Sequence, residues 1–230
     1  MELKVPHSDI DYDHFFKIDS MNDIKFSTFS PGDIFLPTGK IVVADPFVEL
    51  GNVSPLNRMV YAGKYPVVIC CAELDNFGTR YAFARINFTN DPVTSWPLAY
   101  EFDLEDEVKT LKENEFIGIA VEAGLACFCD AQTQELYSDF VDEFYNTDKN
   151  ANIYDDYFAD LFKANANKNN PDDIGDFINW KIPKTDHNVI MFQSGYGDGY
   201  YPVYWGLDSQ GKVASLVIDF ELFGDEDEES

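Results

Sequence analysis

The sequence predicts an α+β fold: a mostly antiparallel sheet, or sheets, with a helical insert around residues 103–168. Two observations lead to this class. Short apolar and β-branched runs bounded by Gly, Pro, Asn and Asp occupy both ends of the chain, and stretches with helical apolar spacing lie between them. No low-complexity linker divides the 230 residues. We therefore expect one globular domain at residues 1–223, followed by an acidic disordered tail at 224–230.

The first half of the chain is predicted to be largely strand. Residues 1–30 have no clean period and are interpreted as irregular, with one short helix near 10–17. Pro31-Gly32-Asp33 predicts a turn, and short strands are expected at 34–36 and 40–44. The clearest hairpin signal joins strands 65–73 and 80–88 through a polar, glycine-containing loop.

The middle of the chain supplies the predicted helices. Residues 103–114 place Leu104, Val108 and Leu111 at spacings of four and three, which is typical of a short amphipathic helix. The apolar run 116–130 contains Gly118 and Gly124 and predicts one kinked strand or two. Stripes with i, i+3, i+4 spacing then predict helices at 134–146 and 153–168. A polar loop at 168–173 and a short strand at 177–182 complete this region.

The stretch 192–220 is the richest in turn chemistry. Gly195, Gly197 and Gly199 follow a strand-like run at 189–192, and glycine is the residue that reaches positive φ without strain. An aromatic run at 200–205 and the alternating run 212–223 predict two further strands, with a turn at 208–211. We expect a three-stranded antiparallel meander, with strands rather than a helix after the glycines.

The string SGYGDGYYPVYWG, followed by Asp208, Gly211 and LVIDF, resembles the C-terminal signature of the domain of unknown function 4241 family. Weaker similar pieces lie upstream, at 39–46, 63–67 and 121–130, so that the resemblance covers roughly residues 30–223. It implies a bacterial-type soluble protein of uncharacterised role. It carries over no catalytic residues.

Charge constrains the possible partners. The chain has 42 acidic and 16 basic residues, for a net charge of −26, and the tail supplies five of the negative charges. Nucleic acids and anionic membranes are disfavoured because binding them requires clustered Lys and Arg. A basic protein would be attracted. Solubility alone is the competing explanation for such a charge.

Location and redox state follow from similar arguments. No secretory signal follows Met1, and no run approaches the length of a membrane span, so the expected location is the cytoplasm. Cys70, Cys71, Cys127 and Cys129 lie in apolar runs and are interpreted as buried free thiols. Cys127 and Cys129 would share one face of a strand, which leaves a shared metal ion as the weaker alternative.

Complete catalytic motifs are missing from the sequence. Gly195-x-Gly197-x-Gly199 does not match the dinucleotide-binding pattern, and Gly39-Lys40 lacks P-loop spacing. No nucleophile elbow occurs. Ser194 stands where a nucleophile could stand, but none of His7, His14 and His187 lies in a motif that points to it.

Carboxylates offer the best enzymatic possibility. Asp45, Asp130, Asp198 and Asp208 are each interpreted as lying at the end of an expected strand. If these strand ends converge, the four carboxylates would form a site for Ca²⁺ or Mg²⁺, which prefer oxygen ligands. The competing interpretation is that each Asp caps a turn with its own side chain.

Two functional hypotheses follow, beside the simpler interpretation that the glycine-rich stretch is purely structural, and the sequence does not decide whether the protein is an enzyme. The first is a non-enzymatic, acidic binding protein for a basic protein partner, of which an immunity-type protein that neutralises a toxin is one instance. The second is a metal-assisted hydrolase or lyase that uses the four aspartates. The residues at the expected cleft are Ser194, Gly195, Gly197, Asp198, Gly199 and Asp208. The oligomeric state stays open.

Overall fold

Two antiparallel sheets form the centre of the molecule in the computed structural model, which describes residues 5–112, 115–166 and 175–223. The strands are β1 (His7–Ser8), β2 (Ser20–Met21), β3 (Ile24–Leu36), β4 (Ile41–Ala44), β5 (Gly63–Leu74), β6 (Gly78–Asn87), β7 (Trp96–Ala99), β8 (Gly118–Val121), β9 (Leu125–Asp130), β10 (Phe177–Lys181), β11 (Asn188–Gln193), β12 (Gly199–Leu207) and β13 (Val213–Asp219). The α-helices are α1 (Tyr12–Phe15), α2 (Glu105–Val108), α3 (Ala131–Thr147) and α4 (Ala159–Ala164). A 3₁₀ turn (Phe102–Leu104) precedes α2 and a π-helical turn (Tyr154–Phe158) precedes α4.

The larger sheet has nine described strands in the order β1-β7-β12-β13-β6-β5-β3-β2, with β8 added beside β12. The N-terminal half of β12 pairs with β8 and its C-terminal half pairs with β7. The smaller sheet has four described strands in the order β10-β11-β9-β4.

Three apolar layers hold these elements together. Large side chains of both sheets, among them Ile34, Phe128, Phe192 and Trp205, bury one another in the central layer. Helices α3 and α4 cover the outer face of the smaller sheet. The N-terminal segment covers the outer face of the larger sheet, where Tyr12 packs on Phe83 and Trp96.

The predicted α+β class with antiparallel pairing is confirmed, and so are several local elements. The β5–β6 hairpin, the β12–β13 hairpin and helix α3 all form where the sequence predicts them. The run 116–130 forms two strands separated at Gly124. Within the described residues, no helix is both long and apolar enough to span a membrane.

Other predictions need correction. The range 103–168 is not one helical insert, because β8 and β9 lie inside it, and the helix expected at 103–114 ends at Val108. Residues 24–30 are not irregular but belong to the long strand β3, where Pro31 falls at a shift in register rather than in a turn. The predicted loop 168–173 and the predicted tail 224–230 both lie outside the described residues.

The prediction of a three-stranded meander is also wrong in one respect. Strand β11 pairs with β9 and β10 in the smaller sheet, whereas β12 pairs in the larger one. The glycines between them therefore carry the chain from one sheet to the other. This crossover replaces the hairpin that the Asp-Gly pair predicted.

Candidate functional site

A two-stranded ribbon bends between the sheets at the glycine-rich stretch. In the smaller sheet Leu125 of β9 is opposite Gln193 of β11, and in the larger sheet Val121 of β8 is opposite Gly199 of β12. Both chains of the ribbon therefore change sheet at the same place, through residues 122–124 and 194–198. We call these two turns the glycine corner. Such bends are one way in which strands turn from one packed sheet into another.

Local hydrogen bonds close the corner. Gly195 (φ +42°) and Gly197 (φ +108°) have positive φ, which glycine adopts without a side-chain penalty. The Ser194 hydroxyl donates to the Gly197 carbonyl at 2.8 Å, and the Tyr201 hydroxyl donates to the same oxygen at 2.9 Å. A strand begins at Gly199, as predicted, so the corner presents no helix N-terminus of the kind that binds a dinucleotide phosphate.

Gly195 also lies close to Phe220. A Cβ added there would lie 2.8 Å from Cβ of Phe220, which follows β13. Glycine is thus required at position 195 for space as well as for φ.

Asp45 fixes the other chain of the corner. Its buried carboxylate accepts from the backbone N–H groups of Glu122 (2.9 Å) and Ala123 (2.7 Å) through one oxygen. The other oxygen accepts from Phe47 (2.9 Å) and Val48 (3.2 Å). One carboxylate therefore holds both the turn after β4 and the turn between β8 and β9.

A cleft of about 720 Å³ opens between the glycine corner and the helical segment 145–162. Such a volume falls in the range of small-molecule sites. Its side chains are chiefly aromatic and amide, and the glycine corner provides backbone along one wall. The side chains that line it include Phe47, Arg80, Tyr145, Asn152, Tyr154, Gln193 and Tyr196.

The residues predicted for the cleft divide into two groups. Ser194, Gly195 and Gly197 line it. Asp198 is exposed beside the corner, Gly199 begins β12, and Asp208 lies beyond the far end of that strand. Because β12 is nine residues long, roughly 30 Å of chain separates Asp198 from Asp208.

The four predicted metal ligands do not converge. Asp130 lies at the opposite end of the β4–β9 ladder from Asp45, since it pairs with Ile41 while Ala44 pairs with Cys127. Its carboxylate caps α3 by accepting from Gln132 N–H at 2.9 Å, and it also accepts from Thr38. The described residues contain no group of three or more His, Cys, Asp or Glu that would hold a metal ion. Of the four, Asp45, Asp130 and Asp208 accept hydrogen bonds that close turns or cap a helix.

Ser194 is not arranged as a nucleophile. Its side chain is buried and its hydroxyl is committed to the Gly197 carbonyl. His187 is half-buried and its Nδ1 lies 2.9 Å from the hydroxyl of Thr133. That hydroxyl is fully buried in the first turn of α3, so the pair secures a loop to a helix.

The four cysteines are free and buried, as predicted. Burial raises the pKa of Cys70 and of Cys71 to about 12, which keeps both thiols protonated at neutral pH. The pKa of Cys129 is raised for the same reason.

A second feature is the acidic helical surface, formed by the segment 131–164. Eight carboxylates of this segment are exposed and none makes an ion pair with a described residue, while only Lys149 and Lys163 are basic there. They are Glu135, Asp139, Asp142, Glu143, Asp148, Asp155, Asp156 and Asp160. The sequence predicted the overall charge but not its concentration on this surface.

Several cleft residues were also missed from the sequence. Tyr154, in the stretch predicted as a helix at 153–168, packs against the outer apolar layer and also lines the cleft at the start of the π-helical turn. Arg80 belongs to the β5–β6 hairpin, over 100 residues before Gly195, and no local pattern links the two.

Comparison with known proteins gives one match. A family model described as "Protein of unknown function (DUF4241)" matches residues 34–218. No curated protein and no solved structure matches this chain.

Proposed function

The chain belongs to the DUF4241 family, whose function is unknown. From the charged surface of this chain, we propose that it is a non-enzymatic binding protein for a basic protein partner. An immunity-type protein that neutralises a basic toxin is one instance. The partner would contact the acidic helical surface.

The observation that carries this proposal is the set of eight exposed carboxylates on segment 131–164 that make no ion pair with a described residue. Like charges held close together on a folded surface repel one another. A partner that brings Lys and Arg to this surface relieves the repulsion, and its approach is accelerated by the field of the whole chain.

The same surface offers apolar contact. Tyr145 is 36% exposed and Leu161 is 37% exposed, and both belong to the helical segment that carries the carboxylates. Interfaces commonly combine aromatic anchors with a charged rim, where the rim determines specificity and association rate.

The test is affinity purification from extract of the source cells with two matched variants. The surface variant neutralises four carboxylates of α3: Glu135→Gln, Asp139→Asn, Asp142→Asn and Glu143→Gln. The control variant neutralises four exposed acids elsewhere: Asp23→Asn, Asp75→Asn, Asp91→Asn and Glu107→Gln. Both variants change the net charge by the same amount.

We expect a basic protein that copurifies with the wild type at low salt and is released at high salt, because screening weakens exposed charge pairs. The surface variant should lose this protein and the control variant should retain it. If no salt-sensitive partner is found, or if both variants lose it equally, the proposal fails.

A further inference from the structure

The cleft at the glycine corner differs in chemistry from the rest of this acidic protein. No Asp or Glu side chain of the described residues lines it, although 42 of the 230 residues are acidic. We propose that this cleft, which borders the acidic helical surface, binds a planar aromatic ligand that carries an anionic group.

Several aromatic side chains surround the cleft. Tyr196 is 55% exposed, and its ring packs edge-on against Phe77, also 55% exposed, with centroids 5.3 Å apart. Tyr145 and Tyr154 line the cleft from the helical segment, and Phe47 lines it from the turn that Asp45 fixes. Rings left accessible around a cleft favour a ligand with a flat apolar face.

Two side-chain amides in the cleft can act as hydrogen-bond donors. The side-chain oxygen of Asn152 is occupied, because it accepts from the N–H groups of Tyr154 (2.9 Å) and Asp155 (3.1 Å). Its NH₂ group has no partner among the described residues, and neither does the side chain of Gln193. Both amides line the cleft and can donate to a polar ring edge.

Arg80 supplies the anionic preference. Its guanidinium makes one hydrogen bond, to the neighbouring Thr79 carbonyl at 3.1 Å, and no ion pair with a described residue. Guanidinium groups bind carboxylate, phosphate and sulfonate oxygens through charge-assisted hydrogen bonds.

A second cleft, of about 630 Å³, shows why the first is favoured. It contains Arg58 and Lys212, but Asp91 and Asp208 line it too and offset their charge. Of these two clefts, each lined by one arginine, only the first has no Asp or Glu among its described lining residues.

The experiment uses two fluorescent probes with the same rings. Anilinonaphthalene sulfonate carries an anionic group and N-phenylnaphthylamine does not. Binding of each is titrated to the full-length wild type, to Arg80→Gln, to the matched control Arg58→Gln and to Tyr196→Ala. Circular dichroism establishes that each variant is folded.

We expect saturable binding of the sulfonate probe at one site. Arg80→Gln should weaken it about tenfold, the effect of losing a charge-assisted hydrogen bond, and leave the neutral probe within a factor of about two. Arg58→Gln should change neither probe, and Tyr196→Ala should weaken both. The proposal is overturned if the sulfonate probe does not saturate, if both arginine variants behave alike, or if Arg80→Gln weakens both probes equally.

Discussion

Gly124 and Gly197 lie against each other where both chains of the ribbon pass from the smaller sheet to the larger one. A Cβ added to Gly124 would lie 3.8 Å from Cα of Gly197, and both residues have positive φ. The glycine-rich string is therefore explained by a change of sheet. The cleft and the acidic helical surface both border this bend.

Replacement of Gly195 tests the close packing of the bend. Gly195→Ala should lower the free energy of unfolding by about 3 kcal/mol, because the new methyl group both meets Phe220 and adopts positive φ. Gly211 has φ +74° but open space around it, so Gly211→Ala should cost only about 1 kcal/mol. Chemical denaturation measures both values. Equal losses would show that the contact with Phe220 does not constrain position 195.

Removal of the Asp45 carboxylate tests whether it is structural. Asp45→Ala leaves four backbone N–H groups without their acceptor and should lower the free energy of unfolding by about 3 kcal/mol or more. The exposed Asp91→Ala is the control and should be nearly neutral. Thermal unfolding of the wild type should not shift with millimolar Ca²⁺ or Mg²⁺. A shift that disappears in Asp45→Ala would restore the metal hypothesis.

The buried pair Asp219–Tyr12 should make stability depend on pH. Burial raises the pKa of Asp219 to about 6, although its hydrogen bonds from the Tyr12 hydroxyl and the Glu221 N–H oppose the rise. An unfolded Asp has a pKa near 3.9, so the folded state binds this proton more tightly. Protonation of Asp219 therefore adds to the free energy of unfolding. This contribution is fully present below about pH 4 and is lost as the pH rises through about 6.

The measurement for this pair is the free energy of unfolding of wild type and Asp219→Asn between about pH 4 and pH 7.5. Over this range the wild type should lose up to about 3 kcal/mol relative to the variant. The exposed Asp91→Asn serves as the control and should run parallel to the wild type. Parallel curves for Asp219→Asn and wild type would show that this carboxyl does not titrate as described.

Asn188 connects the two sheets and gives a further stability test. Its side chain accepts from Phe35 N–H (2.9 Å) and donates to the Asp33 carbonyl (2.9 Å) and to Asn179 Oδ1 (2.7 Å). Asn188→Ala should lower the free energy of unfolding by about 3 kcal/mol, because it leaves polar groups of β3 unpaired. Asn76→Ala, in an exposed loop, should be nearly neutral. Similar effects of the two changes would contradict the assignment.

Local features of the fold were predictable from sequence because their causes are local. The turn at Asp208 forms through its own carboxylate, which accepts from the N–H groups of Gln210 and Lys212, and the β12–β13 hairpin follows. Helix α3 follows from its apolar stripe, which packs on the smaller sheet. The positive φ of Gly195 and Gly197 was expected from residue type alone.

Features that depend on distant contacts were not predictable. An Asp-Gly pair after a strand is typical of a hairpin, and only the pairing of β11 with β9 shows that the chain changes sheet instead. The cleft combines Arg80 with Ser194 and Tyr154, which come from three separate parts of the sequence. Similarly, the sequence pattern around an aspartate at the end of a strand is the same whether its side chain caps a turn or binds a metal ion.

The most direct test of the proposed function is the dissociation constant of the purified basic partner for the wild type, the surface variant and the control variant. It is measured at about 50 and about 300 mM salt, where the screening lengths differ by a factor of about 2.5. We expect the surface variant to bind at least about tenfold more weakly at low salt, with the difference shrinking at high salt, while the control variant matches the wild type. Equal affinities for all three proteins, or equal losses in both variants, would contradict a partner site on the acidic helical surface.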